Sequence, residues 1–238
     1  MIGIIGGYFL SKNFDKLAKK TIPTPYGKTD VFFGKIGNAE GAFIPRHGMK
    51  HTIPPHKVNY MANVWSLKEI GVKNAMTIYS CGIIRNYAVG DLILADDFIG
   101  FYSQITFFDD FSKKIVHTDV VEPYTKKLQR KVLDSSRKMR IECKTGGIIA
   151  TYPGPRFKTR AEIKALKIMG ANLTSMTNAY EITLLSEVKI PTVGLCIGTN
   201  YATGIRKEVL THEKVKKAAL EKNEEVNSIL HEFANSQK

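Results

Sequence analysis

Short apolar runs that alternate with amphipathic stretches constrain the fold of this chain more than any other feature of its sequence. Several runs are apolar at successive positions, which is typical of strands that are covered on both faces of a sheet. The alternation therefore predicts an α/β fold, with a central mixed β-sheet flanked by helices. The predicted strands are residues 2–5, 31–33, 42–44, 75–79, 92–94, 148–151 and 192–197.

Helical periodicity separates these strands and is clearest at the end of the chain. There Thr211 can cap a helix, and Val215, Ala219, Val226 and Leu230 recur at helical spacing. No linker rich in Pro, Gly or Ser divides the sequence, so we expect a single domain over residues 1–238 that ends in one helix at about 211–234. The other predicted helices are residues 59–70, 124–138, 161–169 and 180–188.

Charge and cysteine content restrict the classes of partner and location. The chain has 35 Lys and Arg against 22 Asp and Glu, a net charge of +13 that favours anionic partners. The lysines are scattered, which is more typical of a solvated face than of a nucleic-acid groove. Glycines and a proline interrupt the longest uncharged stretch, so no membrane partner is predicted. Three cysteines, Cys81, Cys143 and Cys196, fit neither a disulfide framework nor a zinc motif and predict a cytoplasmic location.

Five polar segments follow predicted strands, where ligands bind in α/β sheets. In the first, Gly6 and Gly7 would let backbone N–H groups approach an anion, or would simply form a tight turn. In the second, Arg46 offers a fork of donors that suits phosphate, and His47 could add a donor or a proton. The segments are residues 4–8, 45–56, 152–162, 175–181 and 196–204.

The second and third segments also allow other interpretations. Histidines at 47, 51 and 56 suggest a metal site, but the proline-rich segment cannot hold them on one helical face, so we expect no metal. In the third segment, Phe157 could stack on a planar base, although the pattern alone favours a place in the core. Thr159 and Glu162 form a capping box at the start of a helix.

Together these motifs resemble the trimer-forming purine nucleoside phosphorylases of the methylthioadenosine phosphorylase type. The resemblance runs from Ile2 to about Thr211 and rests on Gly6-Gly7, Arg46-His47-Gly48, residues 51–55 and 58–63, Gly154-Pro155-Arg156-Phe157, residues 160–162, Met176-Thr177 and Glu181. It implies a pentosyltransferase in which phosphate attacks C1′ of a purine nucleoside and releases the free base. No metal or organic cofactor is implied, because inorganic phosphate is a co-substrate.

The resemblance also implies roles for particular residues. Arg46, His47 and Asn200 would be catalytic, and phosphate would lie against Arg46, His47, Ser80 and Thr177, with Gly7 and Tyr8 beside it. His117 matches a histidine that reaches the substrate of a neighbouring subunit, which implies a homotrimer or a dimer of trimers. The nucleoside would be contacted by Phe157, Met176, Asn200, Cys81, Gly82, Ala202 and His117.

Asn200 bears on the choice of base. Family members that act on 6-aminopurines have an Asp at this position, whereas an amide can donate to O6 of a 6-oxopurine. We therefore expect a preference for inosine or methylthioinosine, with methylthioadenosine phosphorylase as the alternative. Four features depart from the family pattern. Tyr8-Phe9 follows the two glycines, and Ile83-Ile84 follows Cys81-Gly82 in place of Ser-Leu. Lys158 replaces a glutamate that binds N1 and the 2-amino group, and Pro153 replaces a common glutamate. These departures leave open a catalytically impaired nucleoside-binding relative, and the charge leaves open a nucleic-acid-associated protein.

Overall fold

The strands of this chain form one mixed sheet. The computed structural model describes residues 1–11, 14, 16–112 and 114–237, and the side chains of Tyr8 and Ser11 lie outside that description. Each predicted strand coincides with part of an observed one. Strand β8 matches the strand end expected before residues 175–181, whereas β2 was not predicted. The strands are β1 (Ile2–Gly6), β2 (Ala18–Thr24), β3 (Gly27–Ile36), β4 (Ala39–Pro45), β5 (Asn74–Ile83), β6 (Leu92–Ile99), β7 (Lys144–Thr151), β8 (Leu173–Ser175) and β9 (Thr192–Tyr201).

The helices cover both faces of the sheet, as the alternation predicts. Four predicted helices are confirmed, with ends that differ by no more than two residues from the observed ones. The described helices are α1 (Tyr8–Ser11), α2 (Tyr60–Glu69), α3 (Lys126–Lys138), α4 (Arg160–Ile168), α5 (Asn178–Glu187), α6 (His212–Glu221) and α7 (Asn223–Asn235). Among these helices, none combines the length and the apolar character that crossing a bilayer needs.

The C-terminal segment differs from the single helix that the sequence predicts. It forms two helices, α6 and α7, which are separated at Lys222. Thr211 caps α6 as expected, because its hydroxyl accepts a hydrogen bond from the backbone N–H of Lys214 at 3.3 Å. A straight helix of this length would extend about 36 Å. The break instead allows α6 to pack against β9 and α7 to pack against α3.

Pairing between β5 and β9 closes part of the sheet on itself. The strand order is β2-β3-β4-β1-β5-β8-β7-β6-β9, with an additional β5–β9 pairing. Strands β5, β8, β7, β6 and β9 therefore form a closed ring, while β1, β4, β3 and β2 extend from β5 as an open sheet. At the end of the ring, Gly82 pairs with both Thr174 of β8 and Asn200 of β9.

Two apolar layers hold the helices against the sheet. On one face, residues of α3 and α7 such as Leu128, Val132 and Phe233 pack with β1, β5 and β9. On the other face, residues of α2 and α5 such as Leu67 and Ile182 pack with the same strands. Because both faces are covered, the free ends of the strands are where polar side chains can meet a ligand.

Candidate active site

A cavity of about 740 Å³ collects residues from all five polar segments. This volume lies within the range of about 300–1,000 Å³ that is usual for small-molecule sites. The convergence that the sequence predicts at the strand ends is therefore found. Among the lining residues are Gly7, Phe9, Arg46, His47, Ser80, Gly82, Phe157, Lys158, Met176, Thr177, Asn200 and Ala202.

Arg46 is held by a buried carboxylate. Its Nε donates to Oε1 of Glu181 at 2.5 Å and its Nη2 donates to Oε2 at 2.8 Å, while the two side chains are 3% and 0% exposed. Its Nη1 donates to the carbonyl of Ile78 at 3.0 Å, and Nη2 also approaches that of Ile5 at 3.5 Å. Burial lowers the pKa of Arg46, but the carboxylate of Glu181 outweighs this effect and the net shift is upward.

This geometry changes the expectation for Arg46. A guanidinium has five N–H donors, and four of them are directed at protein acceptors. The sequence suggests a fork that binds phosphate, whereas the structure directs that fork at Glu181. One N–H of Nη1 remains for an anion in the cavity, and sequence reasoning had assigned no role to Glu181.

His47 is neutral in this site. Burial, and next the positive charge of Arg46, lower the pKa of His47 to about 3. Its Nδ1 lies 2.8 Å from the carbonyl oxygen of Ile53, so Nδ1 carries the proton and donates. Nε2 then has a lone pair, and the ring can accept a hydrogen bond in the cavity rather than add a positive charge.

The glycine turn after β1 places the backbone beside Arg46. The carbonyl of Gly6 accepts a hydrogen bond from the backbone N–H of Arg46 at 2.9 Å. A Cβ at Gly6 would lie 2.5 Å from Cδ1 of Leu10, so a larger residue here would displace the Leu10 side chain. Phe9 is buried and borders the cavity without filling it. Tyr8 lies in α1, but its predicted phosphate contact falls on a side chain outside the described part of the chain.

Helix α5 begins at the cavity wall. Thr177 is its N-cap residue, is buried, and lines the cavity. The hydroxyl of Ser175 accepts hydrogen bonds from the backbone N–H groups of Thr177 and Asn178 at 3.3 and 3.2 Å. The positive end of the helix dipole therefore faces the same cavity as Arg46, which favours a bound anion.

The loop after β7 presents Phe157 to the cavity. Arg156 forms hydrogen bonds to both carboxylate oxygens of Glu162 at 2.9 and 2.7 Å, and Thr159 and Glu162 form the predicted capping box of α4. Phe157 is 39% exposed, so the prediction that it lies in the core is wrong and its ring is available for stacking. A Cβ at Gly154 would lie 2.4 Å from Sδ of Met176, so a larger residue here would displace the Met176 side chain from its place in the cavity wall.

The sequence predicts that this strand ends at residue 197, before Asn200. In the structure β9 continues to Tyr201, so Asn200 lies within the strand. Its Oδ1 accepts a hydrogen bond from the hydroxyl of Thr199 at 3.0 Å, and its Nδ2 donates to the carbonyl of Tyr201 at 2.9 Å. An amide NH₂ has two hydrogens, so one remains for a ligand. Gly82 leaves room beside this amide, since a Cβ there would lie 3.4 Å from Nδ2.

Two predicted contacts lie outside this cavity wall. Cys81 is completely buried in the core and does not line the cavity. Burial raises the pKa of the Cys196 thiol, and a hydrogen bond with the thiol of Cys81 raises it further. His117 is exposed and its ring lies 5.8 Å from that of Phe111, away from this chain's own cavity. Its predicted contact is with a neighbouring subunit and stays a prediction.

Sequence reasoning missed other residues of the cavity wall. His212, the first residue of α6, borders the cavity, and its ring stacks on that of His51 at 5.3 Å. Lys158, which the sequence marks only as a departure, lines the cavity and is 6% exposed. A histidine after a helix cap and a lysine in a loop are usually solvated, so neither position carries a signal in the sequence alone.

Comparisons with known proteins agree on one family. A family model described as the phosphorylase superfamily matches residues 1–235. A probable 6-oxopurine nucleoside phosphorylase of Thermococcus kodakarensis is 35% identical over 96% of this chain and 90% of its own. A probable S-methyl-5'-thioinosine phosphorylase of Methanopyrus kandleri is 37% identical over 86% of this chain and 80% of its own. The solved structure of methylthioadenosine phosphorylase from Schistosoma mansoni with adenine has a TM-score of 0.91 at 27% identity, covering 99% of this chain and 91% of that one.

Proposed function

This chain belongs to the phosphorylase superfamily, and we propose that it is a purine nucleoside phosphorylase that prefers 6-oxopurine substrates such as inosine or methylthioinosine. The enzyme is a pentosyltransferase: it transfers the ribosyl or methylthioribosyl group from the base to phosphate. The observation that carries this proposal is the convergence of the five polar segments on one cavity of about 740 Å³.

The phosphate-binding part of the proposal rests on residues at the ends of β1, β4, β5 and β8. The hydroxyls of Ser80 and Thr177 and the remaining N–H of Arg46 can donate to phosphate oxygens. Nε2 of His47 can accept the hydrogen of monohydrogen phosphate, because the ring is neutral and Nδ1 is bonded to Ile53. These groups fix the nucleophile below C1′, where an oxygen of phosphate forms a bond as the C1′–N9 bond breaks.

The departing base takes the electron pair of the C1′–N9 bond, so negative charge grows on the purine in the transition state. The free hydrogen of the Asn200 amide can donate to O6 or N7 and stabilise that charge. Phe157 offers a ring face for the purine, and Met176 offers an apolar surface for the ribose. Leu210, Val215 and Phe9 add apolar surface, which suits a methylthio group at the 5′ position.

We also propose a homo-oligomer. Several large apolar side chains of residues 100–125 are exposed, including Phe101 at 71%, Ile115 at 67% and Val121 at 87%. Exposed apolar patches of this kind mark protein–protein contacts, and His117 lies on the same segment. Light scattering of the purified protein distinguishes a trimer from a hexamer or a monomer. A cytoplasmic location stays a prediction from the cysteine pattern.

The direct test is phosphate-dependent release of base from purified protein. Inosine, methylthioinosine and methylthioadenosine are compared with and without phosphate, and we expect hypoxanthine release that requires phosphate. Binding of nucleosides without any turnover would support the catalytically impaired alternative instead. Higher kcat/KM for methylthioadenosine than for both oxopurine nucleosides would contradict the base preference.

A substitution tests the role of Asn200. Asn200→Asp replaces a donor with an acceptor, so the ratio of kcat/KM should shift from oxopurine towards aminopurine nucleosides, by about 10- to 100-fold. Asn86→Asp makes the same chemical change in an exposed turn that does not line the cavity, and serves as the matched control. An unchanged ratio in Asn200→Asp would show that another residue reads the base.

The second candidate is methylthioadenosine phosphorylase. The structural similarity to the Schistosoma mansoni enzyme favours it, and the apolar part of the cavity fits its substrate. Both candidates share the phosphorolysis of a purine nucleoside. Methylthioadenosine differs from methylthioinosine in the base, and from inosine in the 5′ substituent as well, and the comparison of the three substrates separates these differences.

A further inference from the structure

Lys158 is a buried cation in the wall of the cavity. Its side chain is 6% exposed, and its Nζ donates a hydrogen bond to the carbonyl oxygen of Ser175 at 2.9 Å. Among the residues that the structure describes, no carboxylate accepts a hydrogen bond from this ammonium. Because an ammonium has three donors and no acceptor, two N–H groups remain for a ligand.

The surroundings of Lys158 do not explain it as a structural residue. The nearby carboxylate of Glu162 already accepts hydrogen bonds from Arg156 and from the backbone N–H of Thr159. The carbonyl of Ser175 also accepts from the backbone N–H of Tyr152 at 3.1 Å, so it has a partner without the lysine. Burial of an ammonium is costly unless something compensates it, and an acceptor on a bound ligand would do so.

The position of the ammonium places it beside the groups proposed to contact the base. Ser175 follows Thr174, which pairs with Gly82, and Gly82 pairs with Asn200 on the other side. Phe157 precedes Lys158 in the chain and borders the same cavity. Strands β8 and β9 flank β5 here, so at about 4.8 Å per spacing they lie about 9.6 Å apart. A planar base with a hydrogen bond at each end spans about this distance, so one ligand can meet Phe157, Asn200 and Lys158 together.

We propose that Lys158 determines base specificity by donating a hydrogen bond to an oxygen at C2 of the purine, which makes xanthine nucleosides the preferred substrates. The inference rests on the proposed phosphorolysis, in which Asn200 donates a hydrogen bond to the oxygen at C6. It assigns recognition of the substituent at C2 to Lys158. Xanthine carries oxygens at both positions and satisfies both donors. Hypoxanthine has only hydrogen at C2, and guanine places an amino group opposite the ammonium, so donors would face donors. The expected order of kcat/KM is xanthosine, then inosine, then guanosine.

The test compares phosphorolysis of these three nucleosides in the wild type and in variants at this position. Lys158→Met removes the donors but keeps an unbranched side chain, and should lower kcat/KM for xanthosine relative to inosine by about 10- to 100-fold. Lys158→Glu supplies acceptors instead and should raise the guanosine-to-xanthosine ratio. Lys164→Met removes the same charge from an exposed position of α4 and should leave all ratios unchanged.

The outcomes separate this inference from the proposed function. Two results would show that Lys158 does not determine base specificity while phosphorolysis still stands. In one, the wild type cleaves inosine but does not prefer xanthosine to guanosine. In the other, Lys158→Met lowers kcat/KM for all three nucleosides by one common factor. If no nucleoside is cleaved, the proposed function fails. Calorimetric binding of free xanthine and guanine to the wild type and to Lys158→Met then tests the inference alone: it requires tighter binding of xanthine, which the variant loses.

Discussion

The buried ion pair between Arg46 and Glu181 leads to the sharpest prediction about stability. Glu181→Gln keeps the size of the side chain but removes the negative charge opposite the guanidinium. The amide can accept only with its single oxygen, and its NH₂ then faces an N–H of Arg46 that had donated to the carboxylate at 2.5 or 2.8 Å. The charge of Arg46, which is 3% exposed, would be left without compensation.

The expected loss of stability follows from that burial. Removing one partner of a buried ion pair costs about 3–5 kcal/mol in the free energy of unfolding. For a chain of this size, each kcal/mol corresponds to about 2–4 °C in Tm, so Glu181→Gln should lower Tm by about 6–20 °C. Chemical denaturation monitored by circular dichroism measures the change in the free energy of unfolding directly.

A surface ion pair provides the control. Asp134 and Arg137 lie 3.0 Å apart with side chains 64% and 75% exposed, and Asp134→Asn should cost less than about 1 kcal/mol. Phosphate gives a second readout, because an uncompensated Arg46 should attract an anion more strongly. Added phosphate should therefore stabilise Glu181→Gln more than it stabilises the wild type. A Glu181→Gln variant as stable as the Asp134→Asn control would refute this account of the site.

Two further predictions concern pH. Burial and Arg46 lower the pKa of His47 to about 3 in the folded protein, so below pH 6.5 the unfolded chain binds a proton that the folded protein does not. The free energy of unfolding should then fall by about 2 kcal/mol at pH 5. Denaturation curves at several pH values should show a smaller fall in His47→Gln. An equal dependence of the free energy of unfolding on pH in the variant and the wild type would contradict the assignment. Burial lowers the pKa of Lys158 from an ordinary value of 10.5 to about 8. At a pH where the ammonium is charged in both the folded and the unfolded protein, this shift costs the folded protein about 3 kcal/mol of stability. Lys158→Met should therefore be more stable than the wild type at pH 7, and the gain should fade between pH 8 and 10.5; a destabilised variant at pH 7 would count against a costly buried charge.

Prediction of the fold succeeded where burial leaves a pattern in the sequence. Strands such as β9 are buried over most of their length, so their apolar runs are visible without the structure. Strand β2 is largely exposed, so its sequence has no apolar run that would reveal it. Pairing with its antiparallel neighbour β3 maintains this strand instead. The separation of α6 from α7 was also missed, since both helices carry the same apolar periodicity and differ only in what they pack against.

The predicted convergence of residues from the ordered motifs is found in the structure, while their roles in binding and catalysis stay predictions. Gly7, Arg46, Phe157, Met176 and Asn200 line one cavity, as their positions after strands indicate. The burial and the charge of these residues could not be predicted from the sequence. Whether Phe157 is stacked or buried, and whether His47 is charged, depends on groups far away in the sequence.

Periodicity and residue type are enough to predict the α/β class, the central sheet with helices on both faces, and the five segments that meet at the strand ends. Contacts between distant parts of the chain establish that Glu181 takes the fork of Arg46, that His47 stays neutral, and that Lys158 is buried in the cavity wall. Burial and contact between distant residues set the strength of a charge and the direction of a hydrogen bond. Neither quantity is encoded in the local pattern of a chain, and both arise when the segments come together.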